Sequence, residues 1–343
     1  MAQDTSPNLD SVKEDPMKAV ILAISLFLLL SVSVASAQLT KITVGYTAIS
    51  AGHCPAWVAK ESEIFRKNGL EVQLVYFKGG TTVVAALLSR EIPISQVSGP
   101  WVVSASLRGA DTVMIAGGIV ITEWWLMTRP DIKTAEQLKG GTIGGSFGLP
   151  DFMARIALKR LGLTPLKDVA FLQIGGLPER MSALEKGKIQ ATMFPSPDNF
   201  VAQKRGFYNL VSVRLPYQSA GVATTRRFIR ESPDIIRRYV KSQIEAVHRI
   251  KTDQQNGKKV LVKYIGLQDK EIVERTYDDI STDDRLPPKQ YPTLEGLKNI
   301  LEPLAETEPK AKSAKPEDFV DMRFVKELDE SGFVDDLYKG RKP

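Results

Sequence analysis

Short apolar runs alternate along the chain with amphipathic stretches, and small residues stand at nearly every boundary between them. Residues 42–46 alternate apolar and polar, the period of a half-buried strand. A helix is expected over 56–68, because Pro55 suits a first helical position and Asn68-Gly69 a helix end. A strand follows at 70–77. Gly79-Gly80-Thr81-Thr82 opens a helix at 83–89. A short strand at 94–97 meets Ser98-Gly99-Pro100 and a helix at 101–108. The continuous apolar run 113–121 predicts one buried strand.

The same order then restarts. A strand at 142–145 precedes Ser146-Phe147-Gly148-Leu149-Pro150-Asp151 and a helix at 152–161. A strand at 168–174 precedes Gly175-Gly176-Leu177-Pro178 and a helix ending at Lys186. A strand at 189–194 precedes Pro195-Ser196-Pro197-Asp198 and a further helix. Strands alternating with helices predict an α/β architecture with parallel sheets. From about Ser232 the pattern is helical and highly charged, with expected helices over 233–251, 269–278, 291–305 and 316–331. No repeat of 20–50 residues is present, although the two α/β stretches share an architecture.

The N-terminus departs from this pattern. Residues 19–37 carry no charge, Lys18 stands before them, and Ala35-Ser36-Ala37 forms an A-x-A site. That is the make-up of a secretory signal, expected to be cut after Ala37. The alternative is an uncleaved anchor, since 19 uncharged residues could just span a bilayer. The polar leader before Met17 points to Met17 as the natural start. Residues 1–37 are therefore read as leader plus signal, and 38–343 as the working chain. Removing the leader and signal shifts the formal charge from +6 to +8.

Composition narrows the chemistry. One cysteine permits no intrachain disulfide, and two histidines with one cysteine cannot build a Cys/His zinc cluster. A Ser-His-Asp or Cys-His enzyme has only His53 and His248 to use. The charge excess is too diffuse for a nucleic-acid footprint. What remains is the set of helix entrances: His53 to Pro55, Gly79 to Thr82, Ser98 to Pro100, Ser146 to Asp151, Gly175 to Pro178 and Pro195 to Asp198. Each offers unpaired N–H groups at a positive dipole end, and small residues let a ligand approach. Any one of them serves equally well as a plain cap. Three in each α/β stretch would wall a cleft from both sides.

The residues Pro55-Ala56-Trp57-Val58-Ala59-Lys60 and Ile64-Phe65-Arg66-Lys67-Asn68-Gly69-Leu70-Glu71-Val72 resemble the opening of the solute-binding proteins of ABC importers. The resemblance is to the aliphatic sulfonate, nitrate and taurine group, related to the thiamine-pyrimidine synthases. Gly141 to Gly144, Gly175 to Arg180, Ala183 to Gly187 and Ser331 to Val334 with Leu337-Tyr338 continue it across about 42–338. It implies a type II periplasmic binding protein fold, with two α/β lobes joined by two hinge strands. Lobe 1 would be 38–125 with 220–343, lobe 2 would be 126–219, and the crossings would fall near 121–129 and 215–223. Two departures stand out: Arg90-Glu91-Ile92-Pro93 where the family often has Gly-Xaa-Ile/Val-Asp, and Gln190 where an Asp is common.

The resemblance implies a periplasmic receptor that captures a small organic ligand, anionic or pyrimidine-like, and delivers it to an ABC permease and ATPase in the inner membrane. No catalysis, cofactor, metal or nucleic acid is expected, and the protein is expected to be a monomer. Alternatives are a pyrimidine-precursor synthase-like enzyme on the same fold, and a sensor-input module. The synthases need an iron-supporting histidine and a cysteine cluster, and the cluster is missing here. Expected ligand-binding residues are His53, Gly80, Thr81, Ser98, Gly99, Trp125, Ser146, Phe147, Gly148, Gly176, Arg180, Pro195 and Ser196. Trp125, beside Trp124 at the expected first hinge, could close over a ligand or pack the hinge. Trp101 could be core or pocket wall. Arg180 could pair with an acidic ligand, and Asp198 could select an amine or cap its helix. His248 is read as solvated or structural, and the Arg226-Arg227 and Arg237-Arg238 pairs as solvated faces.

Overall fold

A computed structural model of the chain describes residues 38–145, 149–306 and 308–339. The expected leader, signal and cleavage site lie outside these residues, as do Ser146, Phe147 and Gly148.

The first sheet combines β1 (Thr40–Tyr46), β2 (Leu70–Tyr76), β3 (Ile94–Val97), β4 (Thr112–Ala116) and the late strand β10 (Gly221–Thr225), in the order β2-β1-β3-β10-β4. The second combines β5 (Ile121–Thr128), β6 (Thr142–Gly145), β7 (Ala170–Gln173), β8 (Ala191–Phe194) and β9 (Tyr208–Pro216), in the order β7-β6-β8-β5-β9. The two orders are one pattern. In each sheet three parallel strands are followed by an antiparallel one, and that strand is the first the chain makes after crossing over: β5 on the way out, β10 on the return. The expected two-lobed α/β fold is present.

Helices cover both faces of each sheet, which parallel strands require. After β1 come α1 (Cys54–Glu61) and α2 (Ile64–Lys67); α3 (Gly80–Leu88) follows β2 and α4 (Gly99–Leu107) follows β3. Trp57, Val58 and Phe65 pack on one face with Ile42, Val44 and Leu70, while Val83, Leu87 and Val102 pack on the other with Val97 and Met114. In the second lobe α5 (Ala135–Leu138) and α6 (Leu149–Arg160) cover one face, with α7 (Leu177–Glu185) and α8 (Asp198–Lys204) on the other. The helical tail runs through α9 (Arg226–Glu231), α10 (Pro233–Thr252), α11 (Gln254–Ile265), α12 (Lys270–Ile280), α13 (Leu294–Leu304), α14 (Arg323–Glu330) and α15 (Phe333–Tyr338). Ile236, Tyr239, Val240, Ile244 and Val247 of α10 join the first core, so the tail belongs to the first lobe.

Four expectations are corrected. The run 113–121 is not one strand: it breaks at Gly117-Gly118, where a Cβ would stand 2.6 Å from the Tyr291 carbonyl oxygen and 2.8 Å from that of Ala220. The helix over 56–68 is two, because Glu63 takes a left-handed φ of 56° between them. Strand β9 and helix α11 were not read from the sequence, and the expected crossings at 121–129 and 215–223 are shorter and displaced: 121–128 is strand β5, and the chain crosses at 117–120 and 217–220. The stretch 316–331 is a short 3-10 turn (Pro316–Phe319) followed by α14.

Topology fixes where the lobes meet. Gly221, at the start of β10, pairs with Val97 at the end of β3, and the other crossing leaves from the end of β4. The crossings therefore depart from the edge that holds the C-terminal ends of β1 to β3. In the second sheet Trp125 of β5 pairs with Phe194 at the end of β8, and Ile121 with Pro216 at the end of β9. Its strand ends also face the crossings. The helix entrances of both lobes line the cleft between the sheets, as ligand sites of open α/β sheets do.

Candidate functional site

On the first lobe, the turn Ala51–His53 carries the chain from β1 into α1. A Cβ on Gly52 would come within 3.2 Å of Ala220 Cβ, so this turn lies against the returning crossing. His53 is only 3% exposed, and its Nδ1 is buried without a hydrogen-bond partner. Burial pushes the imidazole down to about 4, so it is neutral near pH 7 and offers hydrogen bonding rather than charge. Its ring meets Tyr46 edge-on at 6.1 Å and Trp57 at 6.3 Å. Ser219, in the crossing, also holds a buried hydroxyl without a partner.

Gly80 and Thr81 begin α3; Gly80 is buried under a side chain and Thr81 is exposed. Ser98 precedes α4 in extended conformation and makes no side-chain cap. Gly99 is a partial correction: its N–H already donates to the Gln218 carbonyl at 2.8 Å, so it is not available to a ligand. No acidic residue stands in the first turn of α1, α3 or α4. Their positive ends are therefore unopposed by local carboxylates.

The second lobe differs. Arg180, expected to face a ligand, is 2% exposed, and its Nη1 and Nε donate within the protein. Nη1 donates to the Met193 carbonyl at 2.6 Å and to Thr192 Oγ1 at 3.4 Å, and Nε donates to the Gly176 carbonyl at 3.4 Å. Burial lowers it to about 10, opposed by the charges of Asp198, Asp151 and Glu179. Asp198 is in turn raised by burial and held back by Arg180. Arg180 thus ties the Gly176 turn to the end of β8 rather than reaching into the cleft.

The other second-lobe candidates divide. Gly176 is exposed, and a Cβ there would stand 2.7 Å from Glu179 Oε2: the first-turn carboxylate of α7 folds back over its own helix end. Asp151 does the same at α6, where a Cβ on Gly145 would stand 2.0 Å from Oδ1. Pro195 accepts the Asn199 N–H through its carbonyl at 3.0 Å. Ser196 Oγ is buried without a partner. Trp125 is half-buried within β5 and meets Phe200 at 6.0 Å, so it packs a strand rather than forming a free flap at a hinge. Sequence reading missed Asn199, which is fully buried with both amide atoms unpartnered, and named Asp151 only as the end of a helix entrance; its Oδ1 is buried and unpartnered, while Oδ2 accepts from Gln173 at 2.7 Å. An Asn one residue past a Ser-Pro-Asp turn looks like ordinary capping chemistry, and nothing in the sequence separates the two.

Helix α12 bridges the lobes. It borders the Ala51–His53 turn and α8. Arg275 stacks 4.1 Å above the Phe200 ring and donates to Gln203 at 2.6 Å, and Asp269 pairs with Lys204. Cys54 is buried beside His53, and burial raises its thiol to about 12, so it does not supply a thiolate. Among the described residues no group of three or more His, Cys, Asp or Glu side chains is placed to hold a metal.

The sequence profile of the NMT1-like family matches residues 35–118 and 130–266. The chain belongs to the NMT1-like family. It is 25% identical over 196 residues to YtlA of Bacillus subtilis (strain 168), provisionally named a binding protein; the match covers 55% of this chain and 59% of that relative's length. The fold of this NMT1-like chain is shared with the periplasmic aliphatic sulphonate binding protein SsuA of Escherichia coli (TM-score 0.63, 17% identity, 84% of this chain and 96% of that one). It is also shared with a cysteine-to-serine mutant of DszB in complex with biphenyl-2-sulfinic acid (TM-score 0.64, 14% identity, 85% and 99% covered).

Proposed function

We propose that this protein is an exported solute-binding protein that holds a small organic anion between its lobes and passes it to an ABC permease and ATPase. The observation that carries this reading is the set of buried polar atoms without partners at the two facing edges: His53 Nδ1 and Ser219 Oγ on one side, Ser196 Oγ, the Asn199 amide and Asp151 Oδ1 on the other. Buried polar groups are ordinarily satisfied, and groups left open at a cleft are satisfied by what enters it. The anionic end would be met by the first-lobe entrances at His53, Gly80, Thr81 and Ser98, where no carboxylate competes. Asn199 and Ser196 would hydrogen-bond the opposite side of the ligand. The structural neighbours that hold organosulfur oxyanions support the chemistry, and the apolar segment with its Ala-Ser-Ala site supports export. We also propose a monomer of two lobes, divided near the expected 38–125 with 220–343 and 126–219, but with all of β5 in lobe 2 because it pairs with β8 and β9.

Among the described residues, His53, Cys54 and Arg180 do not favour an enzyme reading: burial holds the imidazole at about 4 and the thiol at about 12, and Arg180 Nη1 donates to the Met193 carbonyl. Purified protein, confirmed free of ligand, would be screened by thermal shift with sulfonates, carboxylates, nitrate and pyrimidines. Stabilisation that grows with ligand concentration is expected. Indifference to every member would reject the proposal.

A further inference from the structure

The first lobe's side of the cleft carries large apolar side chains in the open. Ile49 in the turn after β1, Tyr76 at the end of β2 and Trp101 in the first turn of α4 are 53%, 46% and 44% exposed. Trp101 is not loosely placed. A Cβ added to Gly80 would stand 2.1 Å from indole Cγ and 2.3 Å from Cδ1 and Cδ2. The ring therefore rests on the backbone at the start of α3, and glycine alone leaves room for it there. An aromatic plate backed by main chain on one side and open on the other can be covered at little cost in side-chain freedom. Trp57 and Trp124 are buried, so they provide no such face. The unpartnered polar atoms of the site are buried, whereas Trp101 is exposed at the rim. A polar head would sit inside and an apolar body would emerge across the indole.

We propose that Trp101, seated on Gly80, selects ligands that carry an aryl or extended alkyl body behind the polar head. This rests on the cleft being the ligand site, and it narrows the ligand from any small oxyanion to amphipathic organic acids. Nitrate or a one-carbon acid would leave the indole uncovered and gain nothing from it.

Matched acids test this: methanesulfonate against benzenesulfonate and octanesulfonate, and acetate against phenylacetate, measured by calorimetry. The proteins are the wild type and the Trp101→Ala, Trp101→Phe and Gly80→Ala variants, each first shown folded by circular dichroism and melting. The wild type should bind the aryl and octyl members at least about tenfold more tightly than the methyl members. Trp101→Phe should keep most of that preference. Trp101→Ala, which removes the plate, and Gly80→Ala, which displaces it, should both reduce it to about threefold or less. Equal binding of the methyl members by the wild type, or a preference unchanged in Trp101→Ala, overturns the proposal while the cleft still binds acids. If no acid of either series binds any variant, the anion reading falls and this inference falls with it.

Discussion

At the scale of single residues, the site is defined by which charges are already spent. His53 is a base whose folded state holds it at about 4 against an ordinary 6.5. The unfolded chain takes up the proton first as pH drops, so the stabilisation is whole above pH 6.5 and is lost as pH falls toward 4. The loss amounts to about 3 kcal/mol. Melting temperature should therefore fall over that window, and in a folded His53→Asn variant this component of the slope should vanish; an unchanged slope would show that His53 is not the group responsible. Arg180 gives the opposite kind of test. Arg180→Met removes the guanidinium that donates to the Met193 carbonyl and leaves Asp198 without its counter-charge; the Gly176 carbonyl keeps the backbone N–H of residue 180. Denaturant titration should show a loss of about 3–5 kcal/mol. Residue chemistry was half legible in the sequence. Helix entrances announce themselves through Gly, Pro and Ser. The direction of a side chain does not, and Arg180 is indistinguishable in sequence from an arginine that faces a ligand.

At the scale of elements, the strands and helices that alternate cleanly were readable, and those whose bounds depend on distant contacts were not. β4 stops at Ala116 because Gly117 and Gly118 lie against the main chain of Tyr291 and Ala220, far along the sequence. β9 was not read from the sequence, and its pairing with β5 along the full length of that strand makes it part of the second sheet. Gln190, the departure from the family pattern, accepts the Thr142 N–H at 2.8 Å and so performs the strand-opening role open to an aspartate. The Arg237-Arg238 pair is also less free than its charge suggested: Arg238 donates to the Gly69 carbonyl at 3.0 Å. The returning crossing depends on Gln218, which is fully buried. Its Nε2 donates to the Ala220 carbonyl, its Oε1 accepts the Thr293 N–H, and its own carbonyl accepts the Gly99 N–H. Gln218→Leu would strand two of these groups, and equilibrium unfolding should report about 2–3 kcal/mol of lost stability.

At the scale of the whole molecule, the lobes are joined by two short crossings and by α12. Asp269→Asn retains a capping side chain at the start of α12 but removes its ion pair with Lys204. On the proposed function, combining it with Arg275→Ala speeds release of the bound ligand by about two- to fivefold in stopped-flow, and raised salt has a similar effect on the unmodified protein. A release rate indifferent to both changes would mean that α12 does not restrain opening. The shared strand order also has a consequence for how the chain becomes a protein. The second sheet is built from one unbroken stretch, 121–216, and needs nothing from outside it to close its hydrogen bonding. The first sheet has a gap between β3 and β4 that only β10 fills, after that whole stretch has been made. The pairings of β10 with β3 and β4 span more than a hundred residues and carry the heavier loop-closure cost. The inner lobe can therefore mature on its own timetable. The outer one waits, with β4 unpaired, until the chain has gone out and come back.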